Sequence, residues 1–427
     1  TEALVQPGTG EIKALAEDLP YGNGKGHTVL DYAVDSAYGG GTGVQTGSSS
    51  KLFTLITALE AGVPFGFQLT VPGSEVVTGY TNCKGDAAGY YNGEPGAFNV
   101  TNSEGAGTTT DSLYTGTAAS INVFYAHLEQ KVGLCATVKT AMQLGMHRSD
   151  GSSLLAYSGD KSQQPADDTP SFTLGVENVS PLSMAAAYAA PAAGGVYCAP
   201  VALTKIITDQ GQKLGVPSAG CHQAIPVRVA QAVNYILQGV LAQPEGTAYG
   251  LGLSKYQAAG KTGTSNVASG NGTPYASFAG YTTGLASFSS VFNPSSPTHN
   301  TMTESSACYR LEGGGYNCPA EMFGANAPAS VWHMTFDHAN LSGSHDFATV
   351  PSGSALFNAG SGMAVKQPPK PKKPKKPGKG GGNGGGGNNG GGNGGGNGGN
   401  GGGGNGGGNG FLPISATATA KAITAAK

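Results

Sequence analysis

Residues Gly47–Leu59 read GSSSKLFTLITAL: three serines and one lysine at the head of an apolar run. Leu52, Leu55, Ile56 and Leu59 recur at the spacing of one helix face, and Gly62 supplies a stop, so the pattern predicts a helix that buries itself. Ser48 and Lys51 stand at i and i+3, which on a helix places their Cβ atoms about 5–6 Å apart. A serine hydroxyl needs a base before it acts as a nucleophile. A lysine becomes that base when burial or a second cation lowers its pKa. A helix start adds positive potential and free N–H groups for a developing oxyanion. Ser49 and Ser50 read as capping and spacing residues.

Alone, S-x-x-K is a cheap motif. It recurs at Ser158–Lys161, in "SGDKSQQP", a loop-like segment without an apolar run. S-x-N occurs at Ser120–Ile121–Asn122, on a predicted helix over 110–133, and at Ser269–Gly270–Asn271, in a Gly-rich loop. Lys261–Thr262–Gly263 occurs once, at a strand edge where glycine lets a ligand approach the backbone. The order Ser48-x-x-Lys51, Ser120-x-Asn122, Lys261-Thr262-Gly263 is the signature order of β-lactamases and penicillin-binding proteins.

The blocks around these motifs extend the likeness. "TGSSSKLFTLITALEAG", "NSEGAGTTTDSLYTGTAASINVFYAHLEQKVG", "TLGVENVSPLSMAAAYAA", "EGTAYGLGLSKYQAAGKTGTSN", "FAGYTTGLASFSSVFNP" and "APASVW" resemble the transpeptidase domain of bifunctional penicillin-binding proteins, actinobacterial type, over residues 1–341. The resemblance implies an α+β penicillin-binding/serine β-lactamase-like fold, with an antiparallel sheet covered by helices and a helical region beside it. It implies that Ser48 attacks the carbonyl between two D-alanines of a peptidoglycan stem peptide and that Lys51 takes its proton. Ser120 is implied to pass a proton to the leaving amine, and Asn122 to hold the acyl chain. Lys261, Thr262, Gly263 and Thr264 are implied to hold the terminal carboxylate, with the amides of Ser48 and Thr264 as oxyanion hole. β-Lactams are then covalent inhibitors. The sequence departs from the family pattern at Leu52, where proline is common, and at Val267, where aspartate is common. The membrane helix and glycosyltransferase domain that usually precede this region are not in this chain. The alternatives are a D,D-carboxypeptidase or β-lactamase-like hydrolase, or a non-catalytic wall-binding relative. No Glu-x-x-x-Asn or Glu-x-x-Leu-Asn lies between Asn122 and Lys261, which argues for slow hydrolysis.

Composition divides the 427 residues into unlike parts. The expected domain is 1–364, followed by a Lys/Pro-rich spacer (365–379), a Gly/Asn-rich linker (380–410) and a short terminal segment (411–427). Such tail composition cannot bury enough apolar surface to offset its ordering entropy. All 25 acidic residues precede Val365, against 14 basic ones, so the body carries −11; the nine lysines after it give the tail +9. An acidic body argues against nucleic acid as partner, while the tail suits anionic wall polymers. No apolar run is long enough to cross a membrane, and no signal peptide is evident, so a mature or truncated product is expected. An anchor upstream is expected, with the domain acting outside the plasma membrane.

Six cysteines without a C-x-x-C pair point to disulfides in an oxidising compartment. Cys198/Cys221 and Cys308/Cys318 each look like closed loops. The eight histidines, His333 and His338 included, lack zinc-ligand spacing, so no metal or other cofactor is expected. A strand–turn–strand pattern over 3–17, helices over 138–146, 181–193, 226–240 and 328–341, and strands over 201–209, 258–265, 276–283 and 285–292 complete the reading. Residues 78–102 read as irregular.

Overall fold

The computed structural model describes residues 1–356 apart from 104–106, 267–271, 296, 342 and 355. The Ser269–Gly270–Asn271 tripeptide, Val267 and the whole of 365–427 lie outside the described residues.

The chain opens with the expected hairpin, β1 (Glu2–Val5) and β2 (Ile12–Ala16). After β3 (Val44–Gln45) comes a 3-10 turn, Gly47–Ser50, that feeds α1 (Lys51–Glu60). An excursion of short strands follows: β4 (Gln68–Val71), β5 (Ser74–Thr78), β6 (Tyr90–Tyr91), β7 (Glu94–Pro95), β8 (Ala97–Thr101) and β9 (Thr109–Ser112). Helices α2 (Leu113–Ala118), α3 (Asn122–Val132) and α4 (Leu134–Gln143) lead through a long loop to β10 (Asn178–Val179), which pairs with β3, and to α5 (Pro181–Ala192). The two-residue strands β11 (Val196–Tyr197), β12 (Ile206–Ile207), β13 (Lys213–Leu214) and β14 (His222–Gln223) precede α6 (Val227–Ala242). Three long strands close the sheet, β15 (Ala259–Thr264), β16 (Tyr275–Tyr281) and β17 (Ala286–Phe292). The small pair β18 (Tyr309–Arg310) and β19 (Tyr316–Asn317) precedes α7 (Ala327–His338).

The main sheet has the order β15-β16-β17-β1-β2, antiparallel throughout. β1 pairs with β17, so the two ends of the domain close one sheet and leave β15 on its edge. Side chains alternate across a strand, and β16 shows the consequence. Phe278 packs tilted against Trp332 of α7, ring centroids 4.9 Å apart, and Gly280 faces the same indole. Tyr281 points the other way, donating to Asn234 of α6 at 2.8 Å and packing on Tyr188 of α5. Helices therefore cover both faces, and β16 is buried at every position, which is why its sequence reads as a run without alternation.

Four expectations are corrected. Every residue from Lys51 to Leu59 is buried, not one face alone; the buried Thr54 and Thr57 hydroxyls are satisfied by Thr173 and by Phe53 O and Thr140. Residues 78–102 are not irregular, because β5 and β8 pair over five residues and β6 with β7 over two. The helix read over 110–133 begins as a strand, β9 paired with β4, and then breaks at Ser120, whose φ is +58°. The strand read over 201–209 shrinks to Ile206–Ile207 against Lys213–Leu214, since no third strand joins it.

Three disulfides are present: Cys83–Cys135, Cys198–Cys221 and Cys308–Cys318. The last two close the loops expected. The first ties the β5–β8 excursion to α4 across 52 residues, a cross-link worth about 4 kcal/mol on the chain-entropy model. Trp332 is fully buried.

Candidate active site

The turn before α1 is clamped to the sheet. Thr46 O accepts from Ser277 Oγ at 2.9 Å, and Tyr188 OH donates to Ser49 O at 2.7 Å. A Cβ on Gly47 would lie 2.4 Å from Thr264 N, and one on Gly263 would lie 2.0 Å from Thr46 O. Only hydrogen allows this approach. Gly47, Ser49 and Ser50 are buried in the clamp, whereas Ser48 is partly exposed. Ser50 Oγ pairs with Thr46 Oγ1 at 2.7 Å, and Ser49 Oγ reaches Lys261 O and Ser277 Oγ, both at 3.4 Å. Neither caps the helix, correcting the capping assignment: the 3-10 turn already occupies that position, and their hydroxyls tie it down.

Two buried amines meet at one hydroxyl. Lys51 Nζ donates to Ser120 O at 2.7 Å and Asn122 Oδ1 at 2.7 Å, and lies 3.1 Å from Ser120 Oγ. Lys261 Nζ lies 2.8 Å from the same Oγ. The break between α2 and α3 makes this possible. At φ +58° Ser120 leaves the helical path and turns its carbonyl and hydroxyl to the lysines. Asn102 Oδ1 accepts the Val123 N–H at the start of α3, and Asn122 Nδ2 donates to Thr101 O, so the end of β8 braces the break.

Both lysines are fully buried. Burial, then the Lys261 charge, holds Lys51 well below the ordinary lysine value. Burial lowers Lys261 to about 7. The Tyr125 ring, 5.2 Å from Lys51 Nζ, offers its face to the cation. Both shifts favour loss of a proton, which fits Lys51 to act as a base, and Ser120 joins it to Lys261. Ser48 itself stays outside the network: its hydroxyl has no hydrogen-bond partner among the described residues.

β15 supplies the opposite wall. Ser265 donates its N–H to Tyr275 O. In an antiparallel ladder this bonding alternates, so Thr262 and Thr264 turn their backbone groups to the free edge, toward the Ser48 turn. Thr262 Oγ1 pairs with Thr247 Oγ1 at 2.7 Å, and Thr264 Oγ1 accepts from Gly324 N at 3.2 Å. An edge strand with unpaired amides can take an extended peptide chain.

The eight residues singled out in the sequence thus lie together where the Gly47–Ser50 turn and α1 meet the α2–α3 break and β15. Sequence reasoning missed Thr247, Tyr125 and Tyr188. All three lie in the quoted blocks, but nothing in their spacing signals a partner. Ser158–Lys161 forms no comparable site: Lys161 has φ +61° and Ser158 Oγ binds Asp160. His333 and His338 pair with Asp337 and Glu312, and no metal-ligating cluster exists among the described residues. No described helix is long and apolar enough to cross a membrane.

Comparison with known proteins gives the chain's family. The family model described as the penicillin binding protein transpeptidase domain matches residues 2–288. Penicillin-binding protein 1A of Mycobacterium tuberculosis is 28% identical over 307 residues, 70% of this chain and 32% of that protein. Penicillin-binding protein 1A of Mycolicibacterium smegmatis is 29% identical over 286 residues, 66% of this chain and 32% of that protein. The chain therefore spans about a third of these relatives' length. Among solved structures, PonA1 of M. tuberculosis in complex with penicillin V superposes with a TM-score of 0.59 at 24% identity, covering 82% of this chain and 79% of that one. Penicillin binding protein 3 of the same organism, complexed with ampicillin, gives 0.58 at 19% identity, covering 83% and 74%.

Proposed function

The chain belongs to the penicillin-binding protein transpeptidase domain family, and on that premise we propose that it is a serine D,D-transpeptidase cross-linking peptidoglycan stem peptides through an acyl-enzyme on Ser48. The observation that carries the reading is the pair of buried amines, Lys51 and Lys261, on the Ser120 hydroxyl beside Ser48, the one serine of its turn that is not buried.

The donor stem lies extended along the free edge of β15. Its terminal carboxylate meets Lys261 and the Thr262 hydroxyl, which Thr247 orients. Neutral Lys51 takes the Ser48 proton as Oγ adds to the penultimate D-alanine carbonyl. The developing oxyanion accepts from the Ser48 and Thr264 amides, each such donor being worth about 3–4 kcal/mol. Collapse breaks the peptide C–N bond; the proton reaches the leaving nitrogen through Ser120 Oγ, and D-alanine departs. Asn122, held by Lys51 and Thr101 O, positions the acyl chain. An amine on a second stem then takes the acyl group. A β-lactam follows the first half of this path and stays bound. The three disulfides accord with work outside the plasma membrane, in an oxidising setting.

Intact mass after incubation with benzylpenicillin tests the reading. A persistent adduct of one whole drug on the wild type, absent from Ser48→Ala, is expected. An adduct that vanishes while hydrolysed drug accumulates would instead favour a hydrolase. No adduct on folded protein would remove Ser48 as nucleophile.

A further inference from the structure

A cavity of about 540 Å³ opens between the β6–β8 hairpin region and the 162–177 loop, a size that suits a small peptide fragment. Both of its walls continue into the site. Asn99 of β8 lines one wall; two residues along the same strand, Thr101 O accepts from Asn122 Nδ2 at 2.9 Å. At strand rise that separation is about 7 Å. Ser171 lines the other wall, and at the end of its 3-10 turn Gly175 O accepts the Gly47 N–H at 3.2 Å, next to Ser48. No β15 residue lines the cavity.

Its lining mixes apolar surface from Tyr90, Phe98 and Val176 with polar groups, and the charge it carries is anionic. Two carboxylates line it, Asp168 and Glu177, with no lysine or arginine. Arg148 neutralises Glu177 at 2.6 Å, whereas Asp168 accepts from a neutral amide, Asn82 Nδ2, at 2.8 Å. The side chains of Asn99, Gln164 and Ser171 have no hydrogen-bond partner among the described residues. Tyr91 adds an aromatic face.

We propose that this cavity seats the acyl acceptor, a peptide bearing a free primary amine, with Asp168 attracting its positive charge and Asn99 holding its backbone. The inference rests on the acyl-enzyme reading above: the donor occupies the β15 edge, so the second substrate enters by another wall. The ammonium first loses one proton to solvent. Its nitrogen then forms an amide bond with the acyl carbon, and the bond from that carbon to Ser48 Oγ breaks with its electron pair on Oγ. The second amine proton returns to Oγ through the Lys51 and Ser120 groups.

The test compares wild type, Asn99→Leu and Asp168→Asn with a D-Ala-D-Ala-ended peptide as donor and a lysine-containing peptide as amine acceptor, products being read by mass spectrometry. Labelled penicillin acylation is measured in parallel, and it also reports folding. The cavity assignment expects penicillin acylation and donor hydrolysis within about twofold of wild type, while transfer falls about tenfold through a higher acceptor KM. Unchanged transfer in both variants overturns it. Transfer falling in step with acylation also overturns it, since the residues then serve the donor. Wild type failing to acylate at all would sink the acyl-enzyme reading, and the cavity assignment with it.

Discussion

Ser48 differs from Ser49 and Ser50 in the one property a nucleophile must have: a substrate can reach it. Ser49→Ala loses two long hydrogen bonds, so it is expected to cost about 1 kcal/mol or less in stability and to keep the penicillin adduct that Ser48→Ala loses. Thr247→Val removes the partner of the Thr262 hydroxyl. Acylation by carboxylate-bearing substrates should fall about tenfold, with the fold intact by circular dichroism. The lysines set a pH dependence. A lysine whose folded pKa is lowered is deprotonated in the native state where the unfolded chain still holds its proton. The stability cost of burying Lys261 is thus full below pH about 7 and declines as pH rises toward 10.5. Denaturant titrations of wild type and Lys261→Met should accordingly show the wild type gaining relative stability across that window. A difference that is flat in pH, or of opposite sign, would refute the buried-amine account.

Among the elements, the contact between the Gly47–Ser50 turn and β15 holds the site together. A methyl at position 47 would overlap the Thr264 backbone, and a residue at φ +57° is strained by any side chain. Gly47→Ala is expected to destabilise by about 1–3 kcal/mol and to slow penicillin acylation far more than that loss alone explains, because Ser48 moves from the Thr264 amide. Stopped-flow acylation beside a melting curve separates the two effects. The helix break at Ser120 is the second such element. Propensity favours helix through "TAASINVF", yet the chain gives up continuity there so that one carbonyl and one hydroxyl can meet Lys51 and Lys261. The third is the excursion between α1 and α2, short-stranded and tied by Cys83–Cys135. Replacing both cysteines by serine should cost about 2–5 kcal/mol and leave the Cys198–Cys221 and Cys308–Cys318 bonds detectable by mass.

At the scale of the molecule, β1 pairing with β17 makes the first residues of the chain part of the same sheet as β15. The acidic body and basic tail differ in sign, so removing 365–427 is expected to leave penicillin acylation unchanged while retention on anionic wall polymers falls and loses its salt sensitivity. Apolar runs were enough to define the three long strands and most of the helices, because these depend on local pattern, while motif order and the resemblance to the penicillin-binding family singled out the eight candidate residues. Tertiary structure alone decided the rest. The break at Ser120, the pairing within 78–102, the burial of α1 on every side and the partners of Thr247, Tyr125 and Tyr188 depend on residues distant in the chain. Local propensity carries no record of them. The lowered lysine pKa values belong to the same class, since desolvation by a packed core, not any neighbouring residue in sequence, produces them.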